Sequence, residues 1–275
     1  MNEENLINYY NKFNEDKRLN TKHGEIEYIT TMKYIHKYLK PNNKIIEIGA
    51  GTGKYSISLS NEGYDVTAVE LVKHNLKEIE KKSNKVKTIL GNAINLKKIK
   101  NNTYDITLLL GPMYHLITKE EKIKALEEAK RITKKNGIII VAYCMNDYAV
   151  LIHGFRDNYI KEAIKNNDID SNFHLTPKNT DLYSRVTIDD INELNKIVNL
   201  ERIKIISSDG PSNYIRNILN KMDEETFNIF INYHLSTCER PDLIGAGAHT
   251  LDILKNWQKS VFLITNCLMT NNTSI

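Results

Sequence analysis

Cysteine and metal-binding motifs are the first features that this 275-residue sequence lacks. Its three cysteines, Cys144, Cys238 and Cys267, are far apart, odd in number and without C-x-x-C spacing, which argues against a disulfide framework. No H-x-x-x-H pair occurs either, so we predict no metal site. Because isolated cysteines of this kind are typical of a reducing compartment, we predict a cytoplasmic protein.

Long apolar runs and basic patches are also absent. No apolar run reaches 18 residues, and the first twenty residues are polar and carry Glu3, Glu4, Asp16 and Lys17, unlike a signal peptide. The net charge of +4 comes from lysines spread along the chain, without a patch in which basic and aromatic residues alternate. The sequence therefore argues against a membrane or a nucleic acid as partner, and it leaves the oligomeric state open.

A glycine-rich turn between a predicted strand and a predicted helix carries the chemistry. Three glycines stand at alternate positions, namely Gly49, Gly51 and Gly53. Glycine accepts backbone dihedrals closed to other residues and lets a ligand approach the main chain, so we predict a ligand site here. A P-loop is excluded, because Ile48 stands where its first glycine would be and Tyr55 follows Lys54. A dinucleotide fingerprint has G-x-G-x-x-G spacing, whereas this turn has G-x-G-x-G.

Residues 45–53, with Glu47 on the strand, resemble the first motif of the class I S-adenosylmethionine-dependent methyltransferases, which has the form hh(D/E)hGxGxG with h apolar. The resemblance continues in order through three later predicted strands, at 64–70, 85–93 and 104–116. It implies S-adenosylmethionine as the cofactor. The residues that it implies for cofactor binding are Glu47, Gly49, Gly51, Gly53, Glu70, Leu71, Asn92, Ala93 and Leu110.

Two polar residues define the nucleoside end of this predicted site. Glu70 ends the second strand, where a carboxylate can accept the hydroxyl hydrogens of a ribose, although nicotinamide enzymes have such an acid as well. Asn92 stands where the family usually has an acid beside the adenine. The loop after the fourth strand lies beside the reactive methyl group in this family.

Alternation of apolar strands and amphipathic helices predicts an α/β fold. We expect a Rossmann-like doubly wound sheet, mostly parallel with an antiparallel last strand, plus helical cap insertions. One methyltransferase domain is predicted over residues 1–275. Its parts are an N-terminal helical cap at 1–40, a cofactor-binding core at 43–144, lid insertions at 146–185 and 212–257, and the last strand at 260–267. Between the two insertions, a helix capped by Thr187 and a further strand are predicted.

Residues for the chemical step are harder to predict, because methyl transfer needs little beyond positioning. His115 is the candidate general base, since it follows the fourth strand and titrates near neutral pH; the alternative is a histidine that fixes this loop by hydrogen bonds. Tyr114 is the second catalytic candidate. Residues predicted to meet the substrate are Tyr10, Met113 and Arg156, and Arg18 is predicted to pair with the methionine carboxylate.

The acceptor is predicted to be a small molecule. The loop Gly111-Pro112-Met113-Tyr114 lacks the polar first residue of enzymes that methylate base amino groups, and no cysteine follows a proline, as in cytosine C5 enzymes. We expect the caps to close one pocket bordered by His115, Tyr114, Arg156 and Tyr10. The alternatives kept open are an RNA or protein methyltransferase, an NAD-dependent oxidoreductase and a non-catalytic nucleoside-binding module.

Overall fold

The computed structural model describes residues 3–11 and 21–257. These residues contain a seven-stranded sheet of order β3-β2-β1-β4-β5-β7-β6. The strands are β1 (Lys44–Ile48), β2 (Asp65–Glu70), β3 (Lys87–Leu90), β4 (Tyr104–Leu109), β5 (Thr133–Cys144), β6 (Glu201–Ser207) and β7 (His249–Lys255). The predicted α/β, Rossmann-like doubly wound sheet with one antiparallel strand is confirmed.

Helices pack against both faces of this sheet and precede its first strand. They are α1 (Glu3–Tyr10), α2 (Lys22–Tyr38), α3 (Lys54–Asn61), α4 (Lys73–Lys82), α5 (Lys119–Ile132), α6 (Asn146–Ala149), α7 (Ile160–Lys165), α8 (Ile188–Val198), α9 (Arg216–Leu219) and α10 (Glu224–Thr237). A 3₁₀ turn at Pro112–Tyr114 follows β4, and a π-helical stretch at Val150–Arg156 follows α6.

Side-chain caps begin two of the long helices where the sequence changes from loop to helix. Thr118 accepts a hydrogen bond from the backbone of Glu121, whose side chain bonds back to the capping residue. Thr187 and Asp190 form the same reciprocal pair at the start of α8, which confirms the cap predicted at Thr187. Each pair satisfies backbone N–H groups that would otherwise lack partners, and such caps contribute about 1 kcal/mol.

The parallel half of the sheet brings the carboxyl ends of four strands to one edge. β1 lies between β2 and β4 and pairs with both in parallel, so that Ile48 is opposite Val69 on one side and Leu109 on the other. The chain order reverses at β1, and open α/β sheets bind their ligands at such a reversal. The loops after β1, β2, β3 and β4 therefore surround one candidate site.

The antiparallel strand β7 lies earlier in the chain than we predicted. It occupies His249–Lys255, within the segment assigned to the second helical insertion, and it pairs with β5 and β6. Its residues Leu251, Ile253 and Leu254 are buried, because apolar layers cover both faces of the sheet at this strand. So short an apolar run does not distinguish strand from helix by periodicity. Residues 260–267 lie outside the described residues.

The core consists of two apolar layers, one on each face of the sheet. Cys144 and Cys238 are free thiols, and Cys238 is buried. Within residues 3–11 and 21–257, no helix is long and apolar enough to cross a membrane.

Candidate active site

A cleft opens at the carboxyl edge of strands β1 to β4 and encloses about 950 Å³ of space free of protein atoms, counting its mouth. Most of the residues predicted from the sequence line this one cleft. The predicted residues that line it are Glu47, Gly49, Gly51, Glu70, Leu71, Asn92, Ala93, Leu110, Tyr10, Tyr114 and His115. The structure therefore brings together eight of the ten proposed cofactor residues and three of the proposed catalytic and substrate residues.

Glu70 organises the glycine turn. Its carboxylate accepts a bond from the backbone N–H of Gly51 at 2.8 Å and another from Val72 at 2.9 Å. Burial raises the pKa of Glu70, and the bonds from the backbone work against that rise. The side chain of Asn75 and the backbone of Leu71 also donate to this carboxylate, which is thereby held in the cleft wall.

Gly51 has a conformation that suits its place in the cleft wall. Its φ is +54°, in the left-handed region that residues other than glycine rarely adopt. A Cβ atom there would meet no protein atom within 4 Å, so it would project into open space. A ligand can thus pass directly over the main chain of the turn.

Glu47 is buried at the base of the cleft. It accepts hydrogen bonds from both the backbone N–H and the hydroxyl of Ser56, the former at 2.9 Å. Burial raises the pKa of Glu47 to about 8. The two bonds from Ser56 work against this rise, and the nearby carboxyl group of Glu70 adds to it. The side chain is therefore largely protonated at neutral pH in the ligand-free protein.

Asn92 connects the loop after β3 to helix α1. Its side-chain nitrogen donates to a carboxylate oxygen of Glu3 at 2.5 Å, and its oxygen accepts from the backbone of Ile94 at 3.1 Å. The amide thus closes its own turn and holds the N-terminal helix. This use of Asn92 explains why an amide serves here, since a carboxylate would face the carboxylate of Glu3.

His115 is buried between a carbonyl group and a tyrosine hydroxyl. Its Nδ1–H donates to the backbone oxygen of Leu182 at 2.8 Å, so the neutral ring accepts at Nε2 the hydrogen of the Tyr10 hydroxyl, 2.7 Å away. Burial lowers the pKa of His115 to about 4, and the bond to Leu182 works against that change. In this arrangement His115 fixes the loop; a role as base requires release of Nε2 from Tyr10.

Helix α1 forms the roof of the cleft. Leu6 and Tyr10 line the cavity, and the hydroxyl of Tyr183 donates to that of Tyr9 at 3.2 Å. The rings of Tyr10 and His115 meet edge to face, with centroids 5.4 Å apart. The N-terminal cap predicted at 1–40 therefore contacts the loop after β4 and the end of the first insertion.

Three of the predicted site residues do not line the cleft. Gly53 begins α3 with a φ of +86°, and a Cβ there would lie 2.8 Å from Ile79, so this glycine serves helix packing. Met113 is fully buried in the apolar core. Arg156 is exposed and pairs with Asp157, because the π-helical stretch turns it away from the cleft lining. Arg18 lies outside the described residues.

Sequence reasoning also missed residues that line the cleft. They are Leu6, Glu27, Ala50, Thr52, Lys54, Tyr55, Val72, Asn75, Gly91, Gly111, Pro112 and Leu116. The lining residues next to the glycines could have been predicted from the glycine motif, because they belong to the same loops. Glu27 was not, because it belongs to α2 and no local pattern distinguishes it from a solvent-facing acid. Neither lid insertion supplies a lining residue, so α1 and α2 cover this cleft instead of residues 146–185 and 212–257.

These residues fit S-adenosylmethionine. Glu70 presents a carboxylate in the cleft wall, a group that accepts ribose hydroxyl hydrogens, and Gly51 leaves the path over the turn open. Leu71, Asn92 and Ala93 border the space next to them, where an adenine would lie. The cofactor supplies a methyl group bound to a positively charged sulfur. In an in-line displacement the sulfur leaves with the bonding electrons as a neutral thioether.

Comparisons with known proteins agree with this geometry. Residues 46–141 match the family model described as a methyltransferase domain. The demethylmenaquinone methyltransferase of Paenarthrobacter aurescens is 27% identical over 126 residues, which are 46% of this chain and 48% of that protein. The chain thus spans about half the length of this relative.

Two solved structures share the fold. A SAM-dependent methyltransferase from Methanosarcina mazei superposes with a TM-score of 0.57 at 15% identity, over 82% of this chain and 98% of that one. The second is geranyl diphosphate C-methyltransferase from Streptomyces coelicolor, solved with Mg²⁺, geranyl diphosphate and S-adenosylhomocysteine. It superposes with a TM-score of 0.53 at 11% identity, over 83% of this chain and 79% of that one. Together, the motif, the sheet order and the family match show that residues 46–141 carry a methyltransferase domain, with S-adenosylmethionine as the methyl donor of that domain.

Proposed function

We propose that this protein transfers the methyl group of S-adenosylmethionine to a small-molecule acceptor in the cytoplasm. The observation that carries the proposal is the continuity of one cleft from Glu70 and Asn92 to Tyr10, Tyr114 and His115. The donor occupies the first end, so its methyl group is directed to the second, where an acceptor binds beside it.

The size of the acceptor follows from the roof. Helix α1 lies over the cleft and is tied to the loops below it through Asn92 and His115. A roofed cleft excludes water and admits a small molecule, whereas a duplex or a folded protein needs an open groove. The lining also includes a single lysine, Lys54, and no arginine among the described residues, which argues against a phosphate backbone as ligand.

Positioning supplies much of the rate in such a reaction. Holding a nucleophile in line with the methyl group converts a bimolecular reaction in solution into an effectively unimolecular step. Tyr10 and His115 restrict the space at this end, and the loop Gly111–Tyr114 sets its floor. A base is needed only if the acceptor must first lose a proton.

Methyl transfer to separated acceptor pools tests this proposal. The protein is incubated with S-adenosylmethionine labelled in its methyl group and, separately, with an ultrafiltered small-molecule extract, total RNA and total protein. We expect label in the small-molecule pool and S-adenosylhomocysteine as the co-product. Label in RNA or protein alone would contradict the small-molecule assignment, and binding of S-adenosylhomocysteine without any transfer would favour a non-catalytic module.

A further inference from the structure

Glu27 is an acidic residue of the cleft wall whose neighbours come from the far side of the sheet. It belongs to α2 and is part of the cleft lining, and its Oε2 lies 3.7 Å from Nδ1 of His249 at the start of β7. Glu70 and Asn92 follow β2 and β3, whereas β7 lies beyond β1, β4 and β5 in the sheet. Glu27 is thus on the side from which an acceptor approaches the donor.

A buried ion pair stands directly behind Glu27. Nδ1–H of His249 donates to Asp209 at 2.7 Å, and the backbone N–H of His249 donates to the other oxygen of this carboxylate at 3.1 Å. Asn213 adds a third bond to Asp209 at 2.8 Å. The Asp209 side chain is fully buried, and these donors satisfy its carboxyl oxygens.

Charge on the imidazole ring follows from these neighbours. Burial works against protonation of His249, but the carboxylates of Glu27 and Asp209, together with the neighbouring Cys144, outweigh it and hold the pKa of His249 well above its ordinary value. The positive ring of His249 thus lies between the carboxyl groups of Asp209 and Glu27. Glu27 is the member of this group that reaches the cleft.

Carboxyl groups outnumber basic side chains in the cleft lining, although Glu47 is largely protonated at neutral pH. Acidic lining residues are Glu27, Glu47 and Glu70, and the one lysine or arginine that lines the cleft in the described part of the chain is Lys54. Lys54 is placed over the ring of Tyr28, with its Nζ 4.5 Å from the ring centroid. An anionic acceptor would meet repulsion here, whereas a cationic one would find a carboxylate partner.

We propose that Glu27, backed by the His249–Asp209 pair, binds a protonated nitrogen of the acceptor, so that the substrates of this enzyme are organic amines. This inference rests on the proposed methyltransferase function and narrows its acceptor class. The fixed pair behind Glu27 limits the movement of its carboxylate, and a cation between a carboxylate and aromatic rings such as Tyr10 is held by both.

Fractionated acceptors test the amine class. A small-molecule extract is separated by ion exchange into cationic, anionic and neutral pools, and each pool is offered with labelled S-adenosylmethionine. We expect the label in the cationic pool. Label confined to the anionic or neutral pool would overturn the amine assignment while leaving the methyltransferase proposal intact, whereas no label in any pool would overturn both.

A matched pair of variants tests Glu27 itself. Glu27→Gln removes the charge at the cleft, and Glu25→Gln removes an exposed charge two residues earlier in the same helix. For the cationic pool we expect Glu27→Gln to raise KM about ten- to a hundredfold, as loss of one charge-assisted bond predicts, and Glu25→Gln to leave it unchanged. The affinity for S-adenosylhomocysteine, measured by calorimetry, should stay within the error of wild type in both.

Two outcomes of this comparison would contradict the proposal. An unchanged KM in Glu27→Gln would mean that the carboxylate does not contact the acceptor. An equal loss of affinity for S-adenosylhomocysteine would place Glu27 at the donor instead. Circular dichroism and the urea midpoint of each variant, compared with wild type, distinguish a lost contact from an unfolded chain.

Discussion

Replacement of Glu47 by glutamine tests the electrostatics of the cleft through the stability of the protein. Glutamine has the same shape and keeps an oxygen that accepts the bonds from Ser56, but it does not ionise. The buried carboxyl group has its pKa raised from 4.5 to about 8, chiefly by burial. Between these two pH values the folded protein holds a proton on Glu47 that the unfolded chain has released.

The sign and size of the effect follow from this difference in proton binding. The unfolded state binds fewer protons, so the free energy of unfolding of the wild type falls as the pH rises from about 4.5 to about 8. Each pKa unit corresponds to about 1.4 kcal/mol, which gives a total loss of about 5 kcal/mol. Glu47→Gln removes this loss, so the variant should gain stability relative to wild type across that window.

Urea unfolding at a series of pH values measures the difference between the two proteins. Subtracting wild type from variant removes the contribution of every other titrating group, and Glu127→Gln, an exposed acid on α5, is the control. We expect the difference for Glu47→Gln to be small near pH 4.5 and to grow by several kcal/mol by pH 8. A difference that does not change with pH would refute the assignment of a buried, protonated Glu47.

Further predictions concern the donor site and its roof. Glu70→Ala removes a charge-assisted acceptor worth about 1.5 to 3 kcal/mol, so calorimetry should show affinity for S-adenosylhomocysteine falling about ten- to a hundredfold. Gly51→Ala and Gly63→Ala each place a side chain at positive φ in open space, so both should destabilise the fold by about 1 kcal/mol. Only Gly51→Ala should weaken the binding of S-adenosylhomocysteine, because Gly51 lines the cleft. Tyr10→Phe removes the bond to His115, worth about 1 kcal/mol, so stopped-flow fluorescence should show S-adenosylhomocysteine leaving about fivefold faster; an unchanged rate would mean that α1 does not retain the ligand.

The cofactor half of the site was predictable because its information is local. The strand and the turn with three alternate glycines each require a backbone conformation that few other sequences adopt, and the acid Glu70 ends the next strand. Parallel pairing of the strands then brings the loops that follow them together. The same local logic predicted the cap at Thr187 and the alternation of strands with helices.

The acceptor half was not predictable because it depends on contacts between distant segments. Glu27 meets His249 across more than two hundred residues, and nothing in either neighbourhood indicates the pairing. Arg156 had the right chemistry in a plausible segment, but the π-helical turn pairs it with Asp157 at the surface. His115 was placed correctly, while its partners Leu182 and Tyr10, which decide its protonation, come from two other parts of the chain.

A calorimetric titration of the wild-type protein with S-adenosylhomocysteine, repeated with NAD, tests the central claim most directly. The glycine spacing, the position of Glu70 and the matched methyltransferase domain all predict that S-adenosylhomocysteine binds at one site per chain and that NAD gives no heat of binding. Saturable binding of NAD, with no response to S-adenosylhomocysteine, would contradict the account.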